Sequence, residues 1–209
     1  MRVRPLLSLE TRVLRLAKII LACTSISLVG VIFTYLLSLK TGHSFTDLTR
    51  DPAQVYNTSV VVGFLSHLGI FLWTASAAIC FFTSGLIDRG SNHRFFLCSG
   101  LVSTLLGLDD EFLLHEIVFP NFFGIPENYV YLGYICLILA YFIYFRYPIL
   151  KNNYVLLFIS SIALGLSLGL DLIIPSATAV EDCFKFAGII FWLAYFVDAA
   201  RERLKLKMY

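Results

Sequence analysis

Residues 107–120 read GLDDEFLLHEIVFP, so Asp109, Asp110, Glu111, His115 and Glu116 stand in a run whose other members are almost all apolar. Imidazole and carboxylate together make a ligand set for borderline or hard divalent ions such as Zn, Fe or Mn, with no thiolate needed. The same groups are general acids and bases. Elsewhere His67, Asp171, Glu181, Asp182 and Lys185 occur in similarly apolar surroundings.

These residues must be held by membrane-type elements. The chain has 209 residues, of which 58% are hydrophobic and 14% charged, and its mean hydropathy is strongly positive, outside the range of soluble globular domains. Apolar runs near 20 residues, enough to cross a hydrocarbon core of about 30 Å, fall at about 17–39, 60–87, 95–119, 129–147, 154–175 and 179–200. The expected fold is an all-α integral membrane protein, a six-helix transmembrane bundle forming one domain over 1–209.

Lys and Arg accumulate on the cytoplasmic side of short membrane flanks. Thirteen lie in one set of flanks (Arg2, Arg4, Arg12, Arg15, Lys18; Arg89, Arg94; Arg146, Lys151; Arg201, Arg203, Lys205, Lys207), against Lys40 and Arg50 in the other. Both termini are therefore expected in the cytoplasm, with the first span an uncleaved signal anchor and the chain a multi-pass protein of the plasma or another cellular membrane. The five cysteines fall in the apolar runs and outline no disulfide framework.

Alternating helices reverse direction. The start of the second span, the end of the third, the end of the fifth and the start of the sixth thus share one depth, in the outer half of the membrane, and the ionisable residues sit at those ends. Charges in hydrocarbon are costly unless they pair, bind an ion or face a cavity, so a shared depth points to one site. At 100° per residue, Asp109 and Glu116 share one stripe and Glu111 and His115 a neighbouring one, while Asp110 points away. Glu181 and Lys185, four apart, can form an ion pair. In GLSLGLDL, Gly165 and Gly169 form a small face suited to close helix approach, which would draw Asp171 inward.

A metal site drawn from His67, His115, Asp109, Glu111 and Asp171 would leave an open position for water and favour hydrolysis. Glu116 or Glu181 would then serve as general base and Lys185 as the group that polarises or stabilises a developing oxyanion. A site in the outer leaflet is reached sideways by membrane lipids or other amphiphiles. The runner-up is a non-enzymatic subunit of a membrane complex, or a proton- or cation-handling protein, in which the same residues form an ion-pair network. A haem or retinal protein is a third class: His67 and His115 stand at matched depth, and Lys185 follows Glu181 by four residues, as in the Asp-x-x-x-Lys arrangement of microbial rhodopsins. Tyr and Phe in YVYLGYICLILAYFIYFRY are assigned to interfacial belts and lipid contact. The basic RERLKLK end meets anionic headgroups without any nucleic-acid role.

The layout resembles the intramembrane hydrolase superfamily of the alkaline ceramidases and the progestin and adipoQ receptors. There a Ser-x-x-x-His on the second helix, an Asp on the third and a His-x-x-x-His on the last build a zinc site that acts on an amide-linked lipid. His67 in SVVVGFLSHLG and Asp109 or Asp110 in GLDDEF match. Gly63 stands in place of the Ser, Glu181 and Lys185 in place of the paired His, and six helices in place of seven.

Overall fold

The computed structural model describes residues 9–50, 52–59, 61–174 and 178–208. Arg2, Arg4 and Pro175 lie outside these residues, as do the side chains of Arg12, Arg15, Cys23 and Lys207. Every regular element among the described residues is helical.

The chain divides into two units, residues 1–62 and 63–209. In the first, α1 (Leu9–Thr41) is followed by two short helices, α2 (Phe45–Thr49) and α3 (Pro52–Val55). Ser44 caps α2 by accepting from the Asp47 N–H and donating its hydroxyl to the Asp47 carboxylate at 2.6 Å, a local closure that satisfies an otherwise orphaned donor.

The second unit holds α4 (Phe64–Leu86), α5 (Ser91–Phe112), a π-helical turn (Leu114–Val118), α6 (Phe119–Phe123), α7 (Glu127–Tyr144), α8 (Arg146–Lys151), α9 (Tyr154–Ile173) and α10 (Thr178–Met208). Among the described residues four helices, α4, α7, α9 and the Thr178–Lys205 part of α10, are long and apolar enough to cross a membrane, and Ser27–Thr41 of α1 is a shorter apolar helix.

Helices α4, α5, α9 and α10 pack closely in the pairs α4 with α5, α4 with α10, and α9 with α10. The seam is made by glycines facing bulky side chains: a Cβ on Gly100 would lie 2.7 Å from the Phe81 ring, and one on Gly188 2.6 Å from Leu164 Cγ. Ser160 completes the second contact by donating its hydroxyl to the Gly188 carbonyl at 2.8 Å. Three buried hydroxyls are satisfied inside their own helices, where Ser76, Thr83 and Ser99 donate to the carbonyls four residues earlier, so they cost little in an apolar interior. Trp73, Phe95, Phe96, Trp192, Tyr195 and Phe196 fill the centre, with Trp73 and Trp192 edge to face at 5.6 Å.

The close approach expected at Gly165 and Gly169 is found instead at Gly188. A Cβ at either α9 glycine would meet nothing within 4 Å, because the bulky partner that fills a groove, Leu164, lies on α9 itself and its receiving glycine lies on α10.

Candidate functional site

The third apolar run is expected as one helix, but α5 ends at Phe112. Leu113 takes a left-handed conformation, φ 49°, with its N–H on the Asp109 carbonyl. This is a rare and strained backbone state for a branched residue. The π-helical turn follows. The break sends His115 back over the helix end, so the imidazole Nδ1 lies 2.6 Å from Asp109 Oδ2 and the His115 N–H donates to Asp109 Oδ1 at 3.0 Å. Tyr134 of α7 adds its hydroxyl to the same Oδ1 at 2.8 Å. Three donors thus converge on one carboxylate that is 6% exposed, beside a His that is 7% exposed. An ionised Asp109 fixes the proton on Nδ1, leaving the lone pair on Nε2, which has no hydrogen bond among the described residues.

The helical-wheel expectation for this segment therefore fails beyond Phe112. Glu111 does not share a stripe with His115; it is exposed and away from the cavity described below. His67 is likewise exposed and outside the lining, because it lies six residues before Trp73 on α4, about 120° round the helix from that wall residue.

Asp110, which the wheel points away, is drawn in from the other flank. The Trp73 indole N–H donates to its Oδ2 at 2.8 Å, and Lys185 Nζ lies 3.5 Å from its Oδ1. Lys185 also stands 4.0 Å from Glu181, the pair expected one turn apart on the last helix. Adjacent carboxylates at one helix end are thereby served from opposite sides, Asp109 from α7 and Asp110 from α4 and α10. Asp171 on α9 accepts a hydrogen bond from the Tyr131 hydroxyl at 2.6 Å.

Between these groups lies a cavity of about 440 Å³. Asp109, His115, Glu116, Asp171, Glu181 and Lys185 of the sequence-derived set all line it, joined by Asp110, Trp73, Trp192, Tyr131 and Tyr134. Its other walls are apolar, with Ile135, Ile138, Leu139 and Phe142 from α7 and Leu164 and Leu168 from α9. The cavity exists because α7 makes its substantial backbone contacts only with the π-helical turn, α6 and α8. Tyrosines hold α7 across the gap: Tyr131 reaches Asp171, Tyr134 reaches Asp109, and Tyr141 shares a 2.6 Å hydrogen bond with Ser99. Residues 131, 134 and 141 fall on one helical face. That spacing is open to inspection in the sequence, although tyrosines at helix ends in an interfacial belt give a similar signal.

Among the described residues, one group of ligating side chains comes together: a nitrogen of His115 and a carboxylate oxygen from each of Glu116 and Glu127 lie within 4.8 Å of one another. Of the metal-ligand set drawn from sequence, His115 alone belongs to this group; Asp109 stands behind it as its hydrogen-bond partner. The donor chemistry of one imidazole and two carboxylates fits Zn, Fe or Mn.

A family model described as "Domain of unknown function (DUF8692)" matches residues 18–199. No curated protein and no solved structure matches the chain.

Proposed function

The chain belongs to the DUF8692 family, and from the cavity that its fold builds we infer a multi-pass membrane protein that acts as a metal-dependent hydrolase on a lipid or similar amphiphile. The single observation that carries the reading is the Asp109–His115 pair on the cavity wall beside Glu116 and Glu127. Six spans are proposed, formed by α1, α4, α5 with its π-helical turn, α7, α9 and α10. Both termini are assigned to the cytoplasm on the basic flanks.

In this reading His115, Glu116 and Glu127 hold the divalent ion, and Asp109 orients the imidazole and raises its basicity as a ligand. The bound ion supplies Lewis acidity to a scissile carbonyl or phosphoryl group and to water. Glu181, whose only partner among the described residues is Lys185 at 4.0 Å, takes the proton from attacking water. Lys185 offers its ammonium to the developing oxyanion. The apolar wall of α7 and α9 seats the chain of the amphiphile. An intramembrane hydrolase like the alkaline ceramidases remains the nearest chemical analogy, with carboxylates here in place of their paired histidines.

The test is the metal content of the detergent-purified protein beside His115→Ala. Near-stoichiometric zinc, iron or manganese that disappears in a still-folded variant is the expected result; metal-free protein in both sinks the hydrolase. A second reading, a non-enzymatic ion-pair network in a membrane complex, draws on the Trp73–Asp110–Lys185–Glu181 chain of contacts. It predicts that substitutions there cost stability rather than turnover.

A further inference from the structure

The charges around the cavity are unequal. Five carboxylates line it, Asp109, Asp110, Glu116, Asp171 and Glu181, against one ammonium, Lys185. They are also unequally served. Asp109 receives three donors, and Asp110 an indole N–H and the Lys185 ammonium. Asp171 has, among the described residues, the Tyr131 hydroxyl alone. Glu181, whose side chain is 13% exposed, has the long contact to Lys185 alone among the described residues. Two acids on facing ends of α9 and α10 therefore turn sparsely paired carboxyl groups towards a shared space, in surroundings where an uncompensated charge is costly. The His115 imidazole lies on the same wall.

We propose that the cavity takes a single-chain amphiphile whose head is a protonated amine, seated between Asp171 and Glu181 with its tail along α7 and α9. A divalent ion at His115, Glu116 and Glu127 answers part of the negative charge but leaves these two acids unmet. The rings of Trp73, Tyr131, Tyr134 and Trp192 line the same cavity, and aromatic faces attract a desolvated cation. At about 440 Å³ the space falls in the range of small-molecule sites, about 300–1,000 Å³, with room for one chain and a small head. The stand-off of α7 from α5, α9 and α10 provides the slot for that chain.

This inference rests on the amphiphile part of the reading above and not on bond cleavage. The chain's two tryptophans, Trp73 and Trp192, both line the cavity, so intrinsic fluorescence reports occupancy. The full chain in neutral phosphatidylcholine nanodiscs would be titrated with a bromine-labelled long-chain amine, and with the matched alcohol and carboxylate. The amine should quench at a concentration at least tenfold below the alcohol, with the carboxylate weakest. The advantage should vanish in Asp171→Asn/Glu181→Gln. Gly165→Leu supplies the blocked control, since a Cβ there meets nothing within 4 Å and Gly165 lines the cavity; it should lose the quenching by all three. Amine and alcohol quenching equally overturns the amine head while leaving an amphiphile cavity. Quenching by all three that survives Gly165→Leu, or no quenching at all, overturns both. Metal content, measured on the same sample, stays an independent readout of the hydrolase.

Discussion

Asp109 Oδ2 and His115 Nδ1 lie 2.6 Å apart across six residues of chain, a separation that a continuous α-helix would place on different faces. The left-handed Leu113 and the π-helical turn bring them together. Backbone strain of this kind costs about 1–3 kcal/mol per residue and persists where the surroundings over-determine it. Here three hydrogen bonds to one carboxylate do so.

Asp109→Asn tests what that carboxylate does. The amide offers one acceptor oxygen, enough for Tyr134 and the His115 N–H, and turns an N–H towards the imidazole Nδ1. Nδ1 must then accept, so the ring proton moves to Nε2 and removes the lone pair a metal needs. We expect metal affinity to fall by about 10–100-fold, as for other partners that orient a ligating His, with helical circular dichroism retained. Equilibrium dialysis against zinc would check it. Undiminished affinity would mean that the pair is structural only.

The Trp73–Asp110–Lys185 contacts are tested by a double-mutant cycle. Trp73→Phe removes the indole donor and leaves a half-buried carboxylate one hydrogen bond short, worth about 1.5–3 kcal/mol for a charged acceptor. Lys185→Met removes its counter-charge. Both act on the same acid, so the double variant should depart from additivity by about 0.5–3 kcal/mol. Denaturant titration in mixed micelles would measure the four stabilities. Strict additivity would show that the three groups do not form a unit.

The parts of this arrangement legible in the sequence are those set by hydropathy and charge. Asp171, Glu181 and Lys185 meet Asp109 and His115 around one cavity, and they stand at helix ends whose alternation predicts a common depth. The fold-back of His115 was not legible, because Leu113 carries none of the Gly or Asn signal that usually marks a left-handed residue. Glu127 opens the next helix and comes near His115 only through that turn. The inward tyrosines of α7 carried a periodic signal, but hydroxyls at a membrane interface produce the same pattern. The choice between Gly165 and Gly188 as the packing glycine depends on where Leu164 points, which periodicity alone leaves open.

Gly188 and Gly165 give the sharpest contrast for the packing itself. In a helix interior alanine is favoured over glycine by about 1 kcal/mol, so both replacements by Ala start with the same local gain. At Gly165 the new methyl meets nothing within 4 Å, and the variant should be as stable as the parent or slightly more so. At Gly188 the methyl would fall 2.6 Å from Leu164 Cγ, 2.8 Å from Cδ2 and 3.1 Å from the Leu164 backbone nitrogen. A leucine rotamer change cannot relieve the last contact, so α9 and α10 must separate, which also lengthens the Ser160–Gly188 hydrogen bond. Overpacking of this sort costs about 1–3 kcal/mol, more than the helix gain. Cys80, fully buried beside this core, supplies the readout: a thiol-reactive dye should label it at a lower temperature in Gly188→Ala than in the parent, and at an unchanged or higher one in Gly165→Ala. Equal midpoints for the two variants would mean that α9 and α10 do not meet at Gly188.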